Sequence, residues 1–433
     1  MNYGECLRYL EKIQNLGIKF GLDNVRAVLS ALSNPHQKYP SVLVAGTNGK
    51  GSVCAMLSQI LILHGFRVGL FTSPHLVRVE ERTRIGRTPI PARALCRILT
   101  QLKKTIEGLI DSKILLSPPT YFELLTCLAL VYFQEQKVDM AVLEVGMGGR
   151  FDATNVVDPV LTVIATISAE HQKFLGESLE QIAFEKAGII RKNVPVVCGA
   201  EPREAFLTIK KRAEELCAPF FGVFESSESY TARKRRNDYQ FEYRSDREKY
   251  CYSPSLPGQH QGKNAAVALV ASERLSENWR KLEKEKIIRG VETVRWEGRM
   301  EAISSSPLVI LDGAHNEEGA MALQDYIRDF IPSPIILVFA SMRDKKIEMI
   351  ADILFPLSRM VILTRFPFFK GASPEEIKER VSKFEDRLFL EPDPKKALLT
   401  ALKNAARDDC ILVTGSLYIV GEIKKFFPHG IKK

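Results

Sequence analysis

The chain reads as an α/β protein of two doubly wound domains, and three features of its sequence say so. Short β-branched runs alternate with helical patterns in two separate stretches. An antiparallel hairpin pattern lies between those stretches, and a glycine-rich turn joins the first run to its helix. Strict alternation of buried strands and helices implies parallel sheets with right-handed crossovers. A length of 433 residues suits two or three domains of ordinary size.

In the first stretch the strand runs are 42–45, 68–71, 140–144, 160–166 and 194–198, each bounded by Gly, Pro or Asn. Continuous apolar runs of this length suit strands buried on both faces. Helical patterns at 51–64, 93–110, 121–136 and 179–189 separate them. The period then changes to two: 239–243 and 249–252 flank Ser245-Asp246-Arg247-Glu248, as in a hairpin. A helix over about 264–277 and a charged segment follow. From Pro307 the first rhythm returns, with strands at 308–311, 335–339, 361–364, 388–390 and 411–414. Helices at 317–330, 345–354, 374–383 and 395–406 alternate with them, a second doubly wound unit. The expected boundary falls near Arg295, giving an N-terminal α/β domain with a small hairpin element (1–295) and a Rossmann-like C-terminal domain (296–433), packed across a cleft.

Composition removes several classes. With 45% hydrophobic, 26% charged and 9% aromatic residues, full cores are within reach. Disorder, a collagen-like repeat and a disulfide-stapled mini-protein are excluded. No uncharged apolar run reaches the roughly 20 residues that span a bilayer. Residues 1–20 carry Glu5, Arg8, Glu11 and Lys12 through their apolar positions and read as an amphipathic helix, not a signal peptide. The eight cysteines are scattered, without a C-x-x-C pair, so a reducing compartment, the cytosol, is the expectation. Net charge is +9, and its densest patch, Arg233-Lys234-Arg235-Arg236, reads as a solvated loop. One short run without interleaved aromatics makes a poor nucleic-acid binder. An anionic small substrate is the better use of surplus charge, and a monomer with neither membrane nor nucleic-acid partner is expected.

The strongest local signal is Gly46-Thr47-Asn48-Gly49-Lys50-Gly51-Ser52, between the run 42–45 and a helix. Such a turn aims backbone N–H groups and a helix N-terminus at a phosphate, and Lys50 adds a point charge. The spacing is not the strict G-x-x-x-x-G-K-[ST] pattern, since Val44 stands at the first glycine position and Gly51 follows the lysine.

This loop resembles that of the ATP-dependent Mur ligase superfamily, and its Gly51-Ser52 continuation looks like the folylpolyglutamate synthase and bifunctional dihydrofolate synthase branch. Further segments match in order: Thr72-Ser73-Pro74-His75, Glu144-Val-Gly-Met-Gly-Gly149-Arg-Phe-Asp152-Ala-Thr-Asn155, His171, Glu185-Lys186-Ala-Gly188, Gly258-Gln-His260-Gln…Asn264, Glu297-Gly-Arg299, Asp312-Gly-Ala-His315-Asn316 and Thr414-Gly-Ser416. The resemblance covers nearly the whole chain. Glu170, where the family usually has Asp, and Ser52, often Thr, are the departures.

By that resemblance Thr47, Asn48, Gly49, Lys50, Gly51, Ser52, Asn264, Arg299 and Asp312 bind ATP, with Lys50, Lys186 and His315 catalytic. Glu144, ending a buried strand beside the loop, is also well placed by position to hold Mg²⁺. Ser73, alone a turn residue before proline, becomes a ligand of the same ion by resemblance, and His171 a ligand of a second Mg²⁺. Lys186, on its own a surface lysine paired with Glu185 or Glu177, is implied to be carbamylated. Gly21, Leu22, Asp23, Asn24, Thr120, Tyr121, Phe122, Glu123, Phe151, Asp152 and Ala153 resemble segments that hold a pterin, and Ser416 lies in a turn able to bind a carboxylate. An aromatic such as Phe122 stacks on a flat heterocycle, although Tyr-Phe at a helix start is equally core. The activity implied is ATP-dependent addition of L-glutamate to dihydropteroate and to tetrahydrofolate polyglutamates. Folylpolyglutamate synthesis alone, a Mur-type cell-wall ligase, and a nucleotide-binding scaffold with a degenerate site are the alternatives.

Overall fold

The structure, a computed structural model, describes residues 1–14, 17, 21–279, 281–331, 334–427 and 430–431. Its N-terminal sheet has eight strands among the described residues, in the order Thr88–Pro89, Thr83–Ile85, Val68–Phe71, Met140–Glu144, Ser41–Ala45, Leu161–Ile164, Val196–Cys198 and Phe220–Gly222. The run from Val68–Phe71 onward is parallel. Two short antiparallel strands extend the edge beside Val68–Phe71. Ser41–Ala45 is buried throughout. Its alternate side chains feed two cores: Leu43 and Ala45 pack into one, Val42 and Val44 into the other. That is why the strand is apolar at every position rather than every second one.

A second sheet of six strands runs Glu301–Ser305, Leu308–Leu311, Cys410–Thr414, Ile335–Phe339, Ser358–Leu363 and Leu388–Leu390. All neighbours are parallel except the first pair. It too carries an apolar core on each face. Both sheets are therefore doubly wound, as the alternation of runs predicts.

Three expectations need correction. The hairpin is a three-stranded antiparallel sheet, because Tyr230–Lys234 pairs with Tyr239–Arg244. Arg233 and Lys234 thus lie on an edge strand, not in a loop, held by Glu242 at 3.3 Å and Asp329 at 2.8 Å. Charge on an edge strand blocks pairing with another chain. The helix expected from about 264 begins at Gln259, and Gln261 in its first turn is buried. Of the residues 21–24, Asp23 and Asn24 begin a helix, Asp23–Ala31, with Leu22 at its N-cap. The amphipathic N-terminal helix spans Tyr3–Gln14; residues 15, 16 and 18–20 of that expectation lie outside the described residues. No described helix is long and apolar enough to cross a membrane.

Candidate active site

The glycine-rich loop leaves the carboxyl end of Ser41–Ala45, in the middle of the sheet, the usual ligand edge of an open α/β sheet. Gly46 and Gly49 have φ of 148° and 80°, backbone that a side chain resists. A Cβ on Gly49 would also collide with the Asn264 side chain. The helix that follows, Lys50–Leu63, has no side-chain cap, so its first N–H groups are left for an anion. The loop is pinned at its base. Thr47 donates its N–H to Thr166 O at 2.7 Å, and Asn48 donates its own to Thr166 Oγ1 at 3.0 Å.

Two ammonium groups converge on this loop. Lys50 Nζ donates to Gly46 O and Thr47 O at 3.0 and 2.9 Å, and Lys186 Nζ donates to Gly46 O at 2.8 Å. Lys186 is 3% exposed and sits in the last turn of Leu179–Ala187. Burial, together with the Lys50 charge, brings its amine down to about 7. It is no surface lysine.

Glu144 stands on the strand next to the loop strand, in register with Val44, and is buried. Its Oε2 accepts the Ser73 N–H at 2.9 Å. Burial raises its carboxyl above the usual range, while Lys50, the Ser73 hydrogen bond and Arg299 oppose the rise. A buried hard oxygen donor beside a phosphate loop, with a serine at its shoulder, fits a Mg²⁺ site. The donor set for a second ion fits less well. His171 is exposed, has φ 54°, and precedes the short helix Gln172–Leu175. Among the described residues no three His, Cys, Asp or Glu side chains converge on a point. Lys186 would have to change from amine to anion to supply the missing charge.

The predicted nucleotide residues meet where the two sheets face each other. Asn264 borders Gly49, and Arg299 approaches Gly313. Asp312 is buried, its carboxylate accepting N–H groups of Met300 and Ala314 at 2.9 and 2.8 Å. Burial raises its carboxyl, with Arg299 opposing. Across the cleft, Asn316 Nδ2 donates to Asn48 Oδ1 at 3.0 Å, and Asn48 Nδ2 to Glu318.

Beside the loop lies a cavity of about 430 Å³. Gly21, Thr120, Tyr121, Phe122, Glu123, Phe151, Asp152, Ala153 and Ser416 line it with Ser73, His171 and His315. Leu22, Asp23 and Asn24 do not line it. Several lining residues hold backbone as well. Thr120 and Glu123 form a capping box on Tyr121–Glu135, and Asp152 accepts from Met147 N–H at 2.9 Å and Thr154 N–H at 3.0 Å. Phe122 packs under Gly146 and against Phe71 at 5.7 Å. The residue both packs on the core and lines the cavity.

A second cavity, about 700 Å³, adjoins the first, and His171, His315 and Lys345 border both. Lys345, Arg82 and Tyr418 were not singled out from sequence. Lys345 follows the carboxyl end of Ile335–Phe339, the position that marks ligand contacts in such sheets. Glu170 links Lys345 and His315. Burial alone would raise its carboxyl, but the His315 hydrogen bond and the His315 and Lys345 charges hold it well below the usual carboxylate range.

Residues 91–272 match the Mur ligase middle domain and 298–417 the Mur ligase glutamate ligase domain. The dihydrofolate synthase/folylpolyglutamate synthase of Bacillus subtilis is 33% identical over 98% of this chain and 98% of its own. The folylpolyglutamate synthase of Lacticaseibacillus casei is 32% identical over 99% of this chain and all of its own. Escherichia coli FolC in complex with DHPP and ADP superposes with a TM-score of 0.86 at 29% identity, covering 98% of this chain and 97% of that one. With both domain models matched and relatives of 32–33% identity covered over nearly their whole length, the chain belongs to the dihydrofolate synthase/folylpolyglutamate synthase family of Mur ligases.

Proposed function

We propose that this chain is an ATP-dependent ligase that adds L-glutamate to dihydropteroate and to tetrahydrofolate polyglutamates at one site. One observation carries the reading: an uncapped phosphate loop with two lysines opens beside an aromatic-walled cavity of about 430 Å³, large enough for a flat heterocycle. The reading divides the chain into an ATP domain, 1–295, and a glutamate-ligase domain, 296–433.

The acceptor carboxylate attacks the γ-phosphorus, giving an acyl phosphate and ADP. The glutamate amine then attacks the acyl carbon, and the tetrahedral intermediate collapses to amide and phosphate with loss of a proton. Loop N–H groups and Lys50 hold the phosphoryl group as it moves. Glu144 with Ser73 would hold Mg²⁺, which when bound neutralises phosphate charge. His315, which borders both cavities, is assigned a catalytic role there. Neutral Lys186 adds CO₂, forming an N–C bond and releasing a proton, so that a cation beside the loop becomes the anion a second Mg²⁺ needs. No side chain has to be a covalent nucleophile. Proximity and exclusion of water between the two units supply the rest.

The test is glutamate-dependent ADP release with dihydropteroate, tetrahydrofolate or a cell-wall nucleotide as acceptor, products sized by mass spectrometry. Turnover with both pteridine acceptors is expected. Turnover with tetrahydrofolate alone reduces the activity to extension, and turnover with the cell-wall nucleotide alone refutes the folate reading.

A further inference from the structure

The three-stranded sheet Tyr230–Lys234, Tyr239–Arg244 and Lys249–Tyr252 lines neither cavity, yet it touches both α/β units. On one side it is fixed to the helix Gln259–Asn278. Tyr252 Oη donates to Gly262 O at 2.9 Å, and the Phe241 ring lies so close that a Cβ on Gly262 would collide with it. That helix carries Asn264, the neighbour of Gly49 in the phosphate loop.

On the other side the sheet holds the carboxyl end of Glu317–Phe330, a helix of the second unit. Lys234 Nζ donates to Asp329 Oδ1 at 2.8 Å, and the Tyr239 hydroxyl donates to Oδ2 of the same carboxylate. The Tyr239 and Phe330 rings meet edge to face at 4.9 Å, and Tyr326 and Phe330 pack against the first unit's core. Burial, with Asp329, pushes the Tyr239 phenol up to about 12, so it keeps its proton and donates at neutral pH. The same helix meets the first unit again at its amino end. Asn316, its N-cap, donates to Asn48 Oδ1 at 3.0 Å, and Glu318 accepts from Asn48 Nδ2. Ala320, Leu323 and Ile327 are buried in the second unit's core, so the helix is a rigid part of that unit. Its 14 residues span about 20 Å. One helix thus rests on the first unit at both ends, on the small sheet at one and on the phosphate loop at the other.

We propose that the small sheet is the seat of the second unit, and that Tyr239, Lys234 and Asp329 are positioning residues that set how closely the amino end of Glu317–Phe330 stands over the phosphate loop. The inference rests on the ligase reading, in which an acyl phosphate has to be kept from water. An exposed ion pair contributes little by itself, and the Lys234 and Asp329 side chains are 51 and 32% exposed. The buried Tyr239 phenol on the same carboxylate makes the contact directional. Without that contact the cleft opens more often. Water then adds at the acyl carbon, inorganic phosphate leaves, and the acceptor carboxylate is regenerated with release of a proton. ATP is consumed and no amide forms.

The readout is amide formed per ADP released by the full chain at saturating ATP, L-glutamate and acceptor. The parent should form an amide for nearly every ADP. Asp329→Ala and Tyr239→Phe should each lower the ratio roughly threefold or more, as when the loss of a hydrogen bond shifts an open–closed balance. Asp329→Glu, which keeps the carboxylate, should stay near the parent. Asp352→Ala, which breaks the ion pair of Asp352 with Lys383 inside the second unit, should leave the ratio unchanged. A merely structural contact would lower both products in the same proportion, or move only the melting temperature. Either of those results, a parent-like ratio in both Asp329→Ala and Tyr239→Phe, or an equal fall in Asp352→Ala, overturns the inference and leaves the ligase reading standing. No glutamate-dependent turnover by the parent chain with any acceptor overturns both.

Discussion

Lys50 and Glu144 face each other's charge across the phosphate loop, one on its helix and the other on the adjoining strand. Lys50→Ala and Glu144→Ala should each cost at least about 10²–10³-fold in kcat, the scale for removing one group that stabilises transferred charge, while circular dichroism stays that of the parent. Near-normal glutamate-dependent ATP hydrolysis in either pure variant would contradict their roles. Lys186 has a sharper signature. Its amine, held at about 7 by burial and by Lys50, is mostly neutral at pH 8 and mostly cationic at pH 6. Only the neutral form takes up CO₂, so at fixed CO₂ pressure activity should fall as pH drops through about 7. Lys186→Ala should be nearly inactive and partly rescued by a short carboxylic acid, whereas Lys186→Arg, still cationic, should not be active. Absence of rescue together with CO₂-independent turnover in the parent would count against carbamylation. The loop residues were legible because glycine and lysine spacing is a local signal. Lys186 resembles any helix-end lysine until the fold buries it, and Lys345 meets Glu170 from 175 residues away.

Among the elements, the strand that ends in Glu144 hands its chain to Val145 and Gly146, beneath the ring of Phe122. A Cβ on Gly146 would stand 2.6 Å from Phe122 Cζ. Gly146→Ala should therefore push that ring toward the cavity, costing about 1–3 kcal/mol of stability and raising KM for the folate acceptor more than KM for ATP. A melting temperature and acceptor KM equal to the parent's would show that the ring has room to move. Central strands were readable from sequence because burial on both faces leaves only apolar residues in a row. Two of the edge strands were not. Glu301–Ser305 and Tyr230–Lys234 are short, half-exposed and polar, and their pairing depends on partners that the local pattern does not name. The capping box Thr120–Glu123 shows the opposite limit: its T-x-x-E spacing is plain in sequence, and the same residues that line the cavity also start a helix.

At the scale of the whole molecule, two doubly wound sheets meet at a cleft bridged by polar contacts that include Asn48 with Asn316 and Glu318, and Glu170 with His315 and Lys345. The repetition of the α/β rhythm announced both sheets, but nothing in a single chain of letters states which loop of one faces which loop of the other. That meeting makes the site, since it joins a phosphate loop from the first sheet to donors from the second. If the cleft couples ATP to amide formation through an acyl phosphate, an oxygen of the acceptor must leave with the phosphate. The acceptor's terminal carboxylate, labelled with ¹⁸O on both oxygens, is turned over with ATP and L-glutamate, and the inorganic phosphate is weighed by mass spectrometry. One ¹⁸O per phosphate, with the other kept in the new amide, is the expected result. Unlabelled phosphate, or label appearing in AMP instead, would contradict it.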